Sequence, residues 1–263
     1  MKCRLSYMMI SAVVLALLIS GCTGINQPEP SQTPEATQSP EPAQTSQPAD
    51  ETSEPSPEPT GPEITDGQQS DEKEKASAEL RALLPERKDY EWVYNGFAEY
   101  GHELELEEIM EEKDRVIYKT EGEVFDLSAG ESDRDFSLYV EYIVTSDALI
   151  QNKKGEMMMD LFDNVVLIRL PLEEGRSWTQ TVKGKSGEEI ELKCTIEKVE
   201  DRNGARAYTV LYQDQDSPYY ERRVIMEGIG VTEYTRLYMA EREGEEDFEI
   251  SYWLYEEASG YDN

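Results

Sequence analysis

The sequence predicts a mainly β domain, an antiparallel meander that forms a curved sheet, an open barrel or a sandwich, with one short N-terminal helix. Three observations support this fold class. Polar and apolar residues alternate at period two in runs such as Glu189–Ile196, as they do in strands with one buried face. Asn203-Gly204 separates two such runs, and this dipeptide is a strong hairpin signal. Residues that recur at a constant offset indicate an internal duplication of the strand pattern.

Residues 1–21 have the organisation of a lipoprotein signal peptide. Lys2 and Arg4 precede an apolar run, Tyr7 to Ile19, that is too short for a stable membrane span. The run leads into Leu-Ile-Ser-Gly-Cys22, which resembles a bacterial lipobox, where the cysteine becomes the lipidated first residue of the mature chain. We therefore expect acyl chains such as palmitate on Cys22 and a location on the extracytoplasmic face of the cell membrane. Several acyl chains would hold the protein firmly, whereas one binds only marginally.

Residues 22–75 are predicted to form a disordered linker behind the lipidated cysteine. Ten of the thirteen prolines lie between Pro28 and Pro62, and no aromatic residue occurs between Tyr7 and Tyr90. A segment of this composition cannot bury a core, and its Pro-Glu-Pro, Ser-Pro and Thr-Pro repeats favour polyproline II. We expect an extended spacer between the membrane and the domain that follows.

Residues 76–263 are predicted to form the folded β-rich domain. The domain begins with a short helix at Ala76–Leu84, in which Leu80, Leu83 and Leu84 share one face. Pro85 ends this helix because proline lacks the backbone N–H that the helix requires. We expect the three leucines to contact the β core.

Two pseudo-repeats, at about 84–169 and 170–255, are predicted within this domain. At an offset of 86 residues the sequence repeats two sets, Leu84, Pro85, Trp92, Gly101, Glu103, Glu105 and Leu106, and Leu170, Pro171, Trp178, Gly187, Glu189, Glu191 and Leu192. Chance aligns a few leucines and glutamates easily, but aligns Trp, Pro and Gly together less easily. The duplication predicts that the two tryptophans occupy equivalent places on equivalent strands.

About ten to twelve strands are predicted, and the alternation of polar and apolar residues places nine of them. In the runs 103–107 and 189–196, the apolar residues are predicted to face the core. They are Leu104, Leu106, Ile190, Leu192, Cys194 and Ile196. Outward positions hold Glu, Lys, Arg and Thr, so we expect one wet and one dry face of the sheet. The predicted strands lie at 103–107, 115–120, 139–145, 165–170, 189 to about 200, 207–212, 220–226, 230–238 and 248–255.

A resemblance to a known group rests on two stretches. Val165–Trp178, followed by Met226–Tyr234, is similar to the Leu-Pro-Leu, Gly, Trp and Gly-Val-Gly pattern of uncharacterised secreted proteins and lipoproteins of Gram-positive bacteria. The first pseudo-repeat departs from this pattern, because it has Asp89 where the second has Gly175. The resemblance implies an envelope lipoprotein of unknown function and supplies no catalytic residue.

Charge and composition exclude several functions. The chain has 57 Asp and Glu against 25 Lys and Arg, a formal charge of -32. A protein this acidic cannot neutralise phosphates, which excludes sequence-independent nucleic-acid binding. With His102 as the only histidine, a multi-histidine metal site is also excluded. We expect no disulfide, because processing leaves Cys194 as the single cysteine without lipid.

For the residues that could act in catalysis or metal binding, the sequence context favours structural roles. His102 is predicted to be an exposed turn residue, and Cys194 an inert buried thiol in phase with its apolar neighbours. Asp160 with Asp163, and Asp214 with Asp216, offer oxygen ligands, but neither pair has the spacing of a calcium loop. Gly228-Ile-Gly230 is predicted to be a bend within a strand. We expect no metal, no cofactor and no catalytic residue.

A group of late aromatic residues leaves two interpretations open. They either line a concave pocket for a lipid or hydrophobic peptide, or pack in the core. The group is Tyr219, Tyr220, Tyr234, Tyr238, Tyr252, Trp253 and Tyr255, with Met157, Met158 and Met159 earlier in the chain.

The sequence predicts a membrane-anchored extracytoplasmic lipoprotein, a non-enzymatic binding or accessory module. Its expected partners are the membrane, through Cys22, and a protein or hydrophobic small molecule, but not nucleic acid. One alternative is a carrier of lipids or hydrophobic ligands with an open β-barrel cavity. The other is an envelope hydrolase that uses paired carboxylates.

Overall fold

The computed structural model describes residues 77–97, 101–128, 130–240, 242 and 244–261. They form one antiparallel sheet in which twelve strands follow one another as a meander. Each strand pairs with the next along the chain except between β6 and β7, and β12 pairs with β1, so the sheet is a nearly closed barrel. A thirteenth strand pairs with the first two residues of β1, Tyr90 and Glu91. The predicted mainly β class and antiparallel meander are confirmed.

The strands are β1 Tyr90–Gly96, β2 His102–Glu111, β3 Val116–Val124, β4 Ser137–Val144, β5 Ala148–Lys154, β6 Asn164–Arg169, β7 Ser177–Lys183, β8 Glu189–Arg202, β9 Ala205–Asp214, β10 Tyr220–Met226, β11 Gly230–Tyr238, β12 Phe248–Leu254 and β13 Gly260–Tyr261.

Alternation decides which side chains fill the barrel. In β4, Leu138, Val140, Tyr142 and Val144 are buried, and the residues between them are half-buried or exposed. Because successive side chains of a strand point to opposite faces, this strand places a continuous apolar row inside. Most strands repeat this pattern, and their inner rows meet in one core.

A side-chain amide joins the two strand edges that the meander leaves apart. Between β6 and β7 the backbone makes one isolated bridge, Phe162 with Gly184. The side chain of Gln180 on β7 accepts a hydrogen bond from the Val166 N–H (2.8 Å) and donates one to the Val166 carbonyl (3.0 Å). In the same seam the Tyr212 hydroxyl donates to the Leu167 carbonyl. These bonds satisfy backbone groups that an open sheet edge would leave unpaired.

Two glycine-containing turns reverse the chain at the same end of the barrel. Asn203 and Gly204 join β8 to β9, and both have positive φ (59° and 89°), as a two-residue type I′ hairpin requires. Gly228 and Gly230 also have positive φ (77° and 92°); Gly228 lies in the connection between β10 and β11, and Gly230 begins β11. The prediction of a bend within a strand was therefore wrong at Gly228–Gly230, because two left-handed residues so close together reverse the chain.

The helix at 77–81 covers this end of the barrel. It ends earlier than predicted, so Leu80 lies in the helix and Leu83 and Leu84 lie in the turn that follows. All three leucines are buried in the core, as predicted. The carbonyl of Ala82 accepts a hydrogen bond from Gly228 N–H (2.8 Å), which ties the end of the helix to the β10–β11 turn. Within the described ranges, no helix is long and apolar enough to cross a membrane.

The connection between β5 and β6, residues 155–163, covers the opposite end. It lies opposite because successive connections of a meander alternate between the two ends. Met158, Asp160 and Phe162 of this segment are buried, and Lys185 donates a hydrogen bond to the Met158 carbonyl. We call residues 155–163 the end segment.

The two tryptophans of the predicted pseudo-repeats lie on β1 and β7, the first strands of two consecutive six-strand runs. Their cross-strand neighbours differ, since Trp92 pairs with Leu104 and Trp178 with Cys194. The repeat boundaries remain a prediction.

Candidate functional site

The predicted lipidation residue, Cys22, lies outside the described residues, so the anchor remains a prediction. Within the described barrel, two features stand out from ordinary packing. One is a set of buried charged side chains inside the barrel, and the other is a pair of clefts on its surface.

Glu221 and Arg223 form an ion pair in the middle of the barrel. Both lie on β10 and point inward because they are two residues apart, and their side chains are 0% and 1% exposed. Arg223 Nη2 lies 2.8 Å from Glu221 Oε2. The hydroxyls of Tyr219 and Tyr234 donate to Glu221 Oε1 at 2.7 and 2.9 Å. The buried carboxylate therefore accepts hydrogen bonds from three side-chain donors.

The Arg223 guanidinium lies between two aromatic rings. Its central carbon is 4.9 Å from the centroid of the Tyr212 ring and 5.2 Å from that of Tyr234, distances typical of cation–π contacts. Burial disfavours the cation, but Glu221 and the neighbouring tyrosines outweigh it, and the pKa of Arg223 rises well above its usual value. Its Nε and Nη1 have no hydrogen-bond partner among the described residues. The contacts of this side chain are structural and leave it permanently charged.

A second buried ion pair joins the barrel wall to the end segment. Lys153 on β5 and Asp160 are 4% and 1% exposed and bond through the Lys153 ammonium and Asp160 Oδ2. Burial by itself would raise the pKa of Asp160, but the charge and hydrogen bond of Lys153, with Arg223 and His102 further away, outweigh it and lower the pKa. Asp160 is therefore held as a carboxylate. This pair fixes the end segment in the mouth of the barrel.

His102 is buried, which corrects the prediction of an exposed turn histidine. It is 2% exposed, and its ring stacks on Tyr94 of the neighbouring strand at 4.5 Å and meets the edge of Tyr252 at 4.9 Å. The physical reason is the phase of β2, which begins at His102 and points it inward with Leu104 and Leu106. Glu188, the residue that the repeat aligns with His102, is exposed by contrast.

Cys194 is buried as predicted. It is 0% exposed, and burial raises the pKa of its thiol to about 11. Its sulfur accepts a hydrogen bond from the Gln180 amide at 3.1 Å. A thiol with a raised pKa and no solvent contact is a poor nucleophile.

We expect the Cys194 thiol of the folded mature protein to react with Ellman's reagent at least about 100-fold more slowly than in the urea-unfolded chain. The reasons are its exclusion from solvent and its raised pKa. The measurement is the rate of thionitrobenzoate release at pH 8, with and without urea. Rapid stoichiometric release from the folded protein would show that the thiol is accessible.

The acidic residues considered as cation ligands are dispersed. Asp160 is occupied by Lys153, whereas Asp163 is exposed. Asp214 caps the β9–β10 turn, where it accepts bonds from the Asp216 N–H (3.0 Å) and the Ser217 hydroxyl. In the described part of the chain, no three His, Cys, Asp or Glu side chains are grouped as a metal site requires.

The late aromatic residues divide between core and surface. Tyr219, Tyr234 and Tyr252 are buried inside the barrel, whereas Trp253 and Tyr255 are 49% and 41% exposed. Core packing therefore accounts for the inward members of the group. Other large side chains that are almost completely buried fill the rest of the interior, among them Trp92, Tyr94, Phe162, Tyr208 and Tyr212.

Two clefts open on the surface. The first, about 860 Å³, lies between the helix and the β2–β3 connection. Four of its charged side chains form ion pairs, since Arg81 pairs with Glu111 at 3.0 Å and Arg115 with Glu112 at 2.6 Å.

The second cleft, about 810 Å³, lies on the outer surface of the barrel, and we call it the Trp253 cleft. The β8–β9 turn, the β10–β11 turn and the outward residues of β11 and β12 form its walls. Arg202 crosses to Glu233 with a 2.7 Å hydrogen bond and braces one wall. Unlike the first cleft, it contains an exposed aromatic ring, that of Trp253. The sequence included Trp253 among the late aromatics but gave no sign that it points outward into a cleft.

Comparison with known proteins gives a fold likeness only. No protein-family model matches the chain, and no curated protein matches it. A protein of Parabacteroides distasonis described as a lipoprotein is 9% identical, with a TM-score of 0.33. A Bacteroides fragilis protein described as an exported protein with a YmcC-like fold is 12% identical, with a TM-score of 0.38. Each similarity covers 65% of this chain and 96% of the other. At these TM-scores the likeness assigns no function here.

Proposed function

We propose that this protein is a lipid-anchored extracytoplasmic lipoprotein whose barrel is a non-enzymatic binding module. The observation that carries the proposal is the order of three features along the chain. A lipobox-like Leu-Ile-Ser-Gly-Cys22 ends a short apolar run, a proline-rich acidic stretch follows, and a packed β barrel comes last. This order suits a protein that is held at a membrane and extends its folded domain away from it.

The buried acids favour a binding module over a hydrolase. A glycosidase needs one carboxyl with a raised pKa to act as general acid. Asp160 has a lowered pKa, because Lys153 outweighs the effect of burial. Glu221 is occupied by Arg223 and two tyrosine hydroxyls. Both carboxyls are almost completely buried and are engaged by neighbouring side chains, which favours a structural role for them.

The filled interior favours a binding module over a carrier of lipids. A carrier barrel needs an apolar cavity, but tyrosine, tryptophan and leucine side chains with almost no exposure occupy the described interior. The helix covers one end and the end segment covers the other. A ligand of this protein would bind on the outside of the barrel.

Cells fed radioactive palmitate are expected to label the wild-type protein and not the Cys22→Ala variant, because acylation needs the cysteine sulfur. Cys3→Ala is the matched control, and it should keep the label because Cys3 lies within the signal peptide. Mass spectrometry of the purified wild-type protein should find the acylated peptide beginning at Cys22. Undiminished label on Cys22→Ala would overturn the anchor.

A further inference from the structure

Trp253 presents a large apolar surface to solvent. It lies on the outer face of β12, between Glu233 of β11 and Asn95 of β1, and is 49% exposed. An indole of this size is usually covered, because it carries a large hydrophobic area. Its place on a strand paired on both sides fixes its backbone at the edge of the cleft. A flat and exposed ring suits stacking against a flat ligand surface.

Hydrogen-bonding groups line the same cleft as this ring. Thr235 and Ser251 face each other across β11 and β12 and line the cleft, as does Asn203 of the β8–β9 turn. Arg202 and Glu233 hold each other in a fixed position by their 2.7 Å bond. Hydroxyl, amide and carboxylate groups around one aromatic ring match a ligand that has both hydroxyls and an apolar face. The two faces of a pyranose ring have this character, because the axial C–H groups are apolar and the hydroxyls project at the rim.

The charge of the cleft selects against acidic ligands. Its charged lining residues are Glu233, Glu256 and Arg202, two acids and one base, on a chain whose formal charge is -32. Phosphates, acidic polysaccharides and acidic peptides would be repelled. The proline-rich residues 28–62 of this chain carry Glu and Asp and no Lys or Arg, so their docking in this cleft is also disfavoured.

We propose that the Trp253 cleft binds an uncharged glycan chain, with one sugar ring stacked on the indole and its hydroxyls bonded to the surrounding side chains. The volume of about 810 Å³ lies within the range of small-ligand sites. This inference rests on the proposed function, since it names the ligand class of the binding module.

The test measures binding of four neutral hexasaccharides to the full mature chain by calorimetry and tryptophan fluorescence. The probes are the β-1,4-linked oligomers of glucose, N-acetylglucosamine and mannose and the α-1,4-linked oligomer of glucose. We expect at least one to bind and to shift the emission of Trp253, because Trp92 and Trp178 are buried. Trp253→Ala should weaken that binding by about tenfold or more, and Trp253→Phe should retain part of it.

Tyr139→Ala is the matched control, because Tyr139 is a 45% exposed aromatic on β4, distant from the cleft in the sheet. It should leave glycan affinity unchanged. The proposal is overturned if none of the four neutral probes binds, if Trp253→Ala binds as tightly as wild type, or if a hexagalacturonate or a peptide of residues 28–62 binds more tightly. Palmitate labelling of Cys22 is unaffected by any of these outcomes, so failure of the glycan inference is distinguishable from failure of the anchor.

Discussion

A protein in which Glu221 is replaced by alanine is expected to lose about 3–5 kcal/mol of its free energy of unfolding. The substitution leaves the Arg223 cation buried without its counter-charge. It also removes the acceptor of the Tyr219 and Tyr234 hydroxyls, which are then buried without this partner. Because domains are stable by only about 5–15 kcal/mol, this one change removes a large share of the total.

Urea unfolding followed by circular dichroism measures this loss as a lower midpoint at unchanged slope. Glu197→Ala is the matched control. Glu197 pairs with Arg222, the neighbour of Arg223 on the outer face, at 3.0 Å and with partial exposure. Its removal should cost at most about 1 kcal/mol, because exposed pairs contribute little.

A double variant distinguishes the contribution of the two charges from that of the volume their side chains fill. Glu221→Met with Arg223→Met removes both charges, and we expect it to be more stable than Glu221→Met alone. The reason is that a buried Arg223 cation without its counter-charge lowers the free energy of unfolding more than the removal of both charges does. A double variant less stable than the single one would mean that Arg223 stabilises the barrel independently of Glu221, through Tyr212 and Tyr234.

Most of the fold could be predicted because one physical signal, alternation, survives in most strands. The Asn203-Gly204 turn and the leucine face of the helix carry equally local signals, and the structure confirms both. Alternation fails in β5 and β10, where the inward positions hold Gln151, Lys153, Glu221 and Arg223. The expectation of a dry inner face was wrong at these positions, because a polar inward residue resembles an outward one in sequence.

The interior charge pairs and the seam depend on which side chains meet in space, and a single sequence does not reveal those contacts. Asp160 reaches Lys153 from the end segment, and Gln180 reaches Val166 from the next strand. The one local signal for the interior site was the spacing of two between Tyr219, Glu221 and Arg223, of which Glu221 and Arg223 lie on β10 and Tyr219 immediately precedes it. β1, β5 and β7 were not predicted as strands. In β1 the inward residues are aromatic, and its run between Asp89 and Gly96 is short.

Acidification is expected to destabilise the wild-type protein more than the Asp160→Asn variant. The pKa of Asp160 in the folded protein lies below its ordinary value of about 3.9. The stability that the Lys153 pair contributes is therefore fully present above this ordinary pKa and is lost as pH falls through the lower pKa of the folded state. Asparagine does not titrate, so the variant lacks this contribution at every pH.

At pH 7 we expect Asp160→Asn to unfold about 3–5 kcal/mol more easily than wild type, because Lys153 remains buried without a counter-charge. Between pH 7 and pH 2 the difference in free energy of unfolding between wild type and Asp160→Asn should narrow. Urea unfolding at each pH measures this difference. Asp163→Asn is the matched control, since Asp163 is exposed in the same segment and should behave as wild type. Hydrogen exchange of amides 155–163 should also rise in Asp160→Asn, because the pair holds the end segment in place. A gap that stays constant down to pH 2 would mean that the carboxylate of Asp160 stabilises the barrel by its shape and not by its charge.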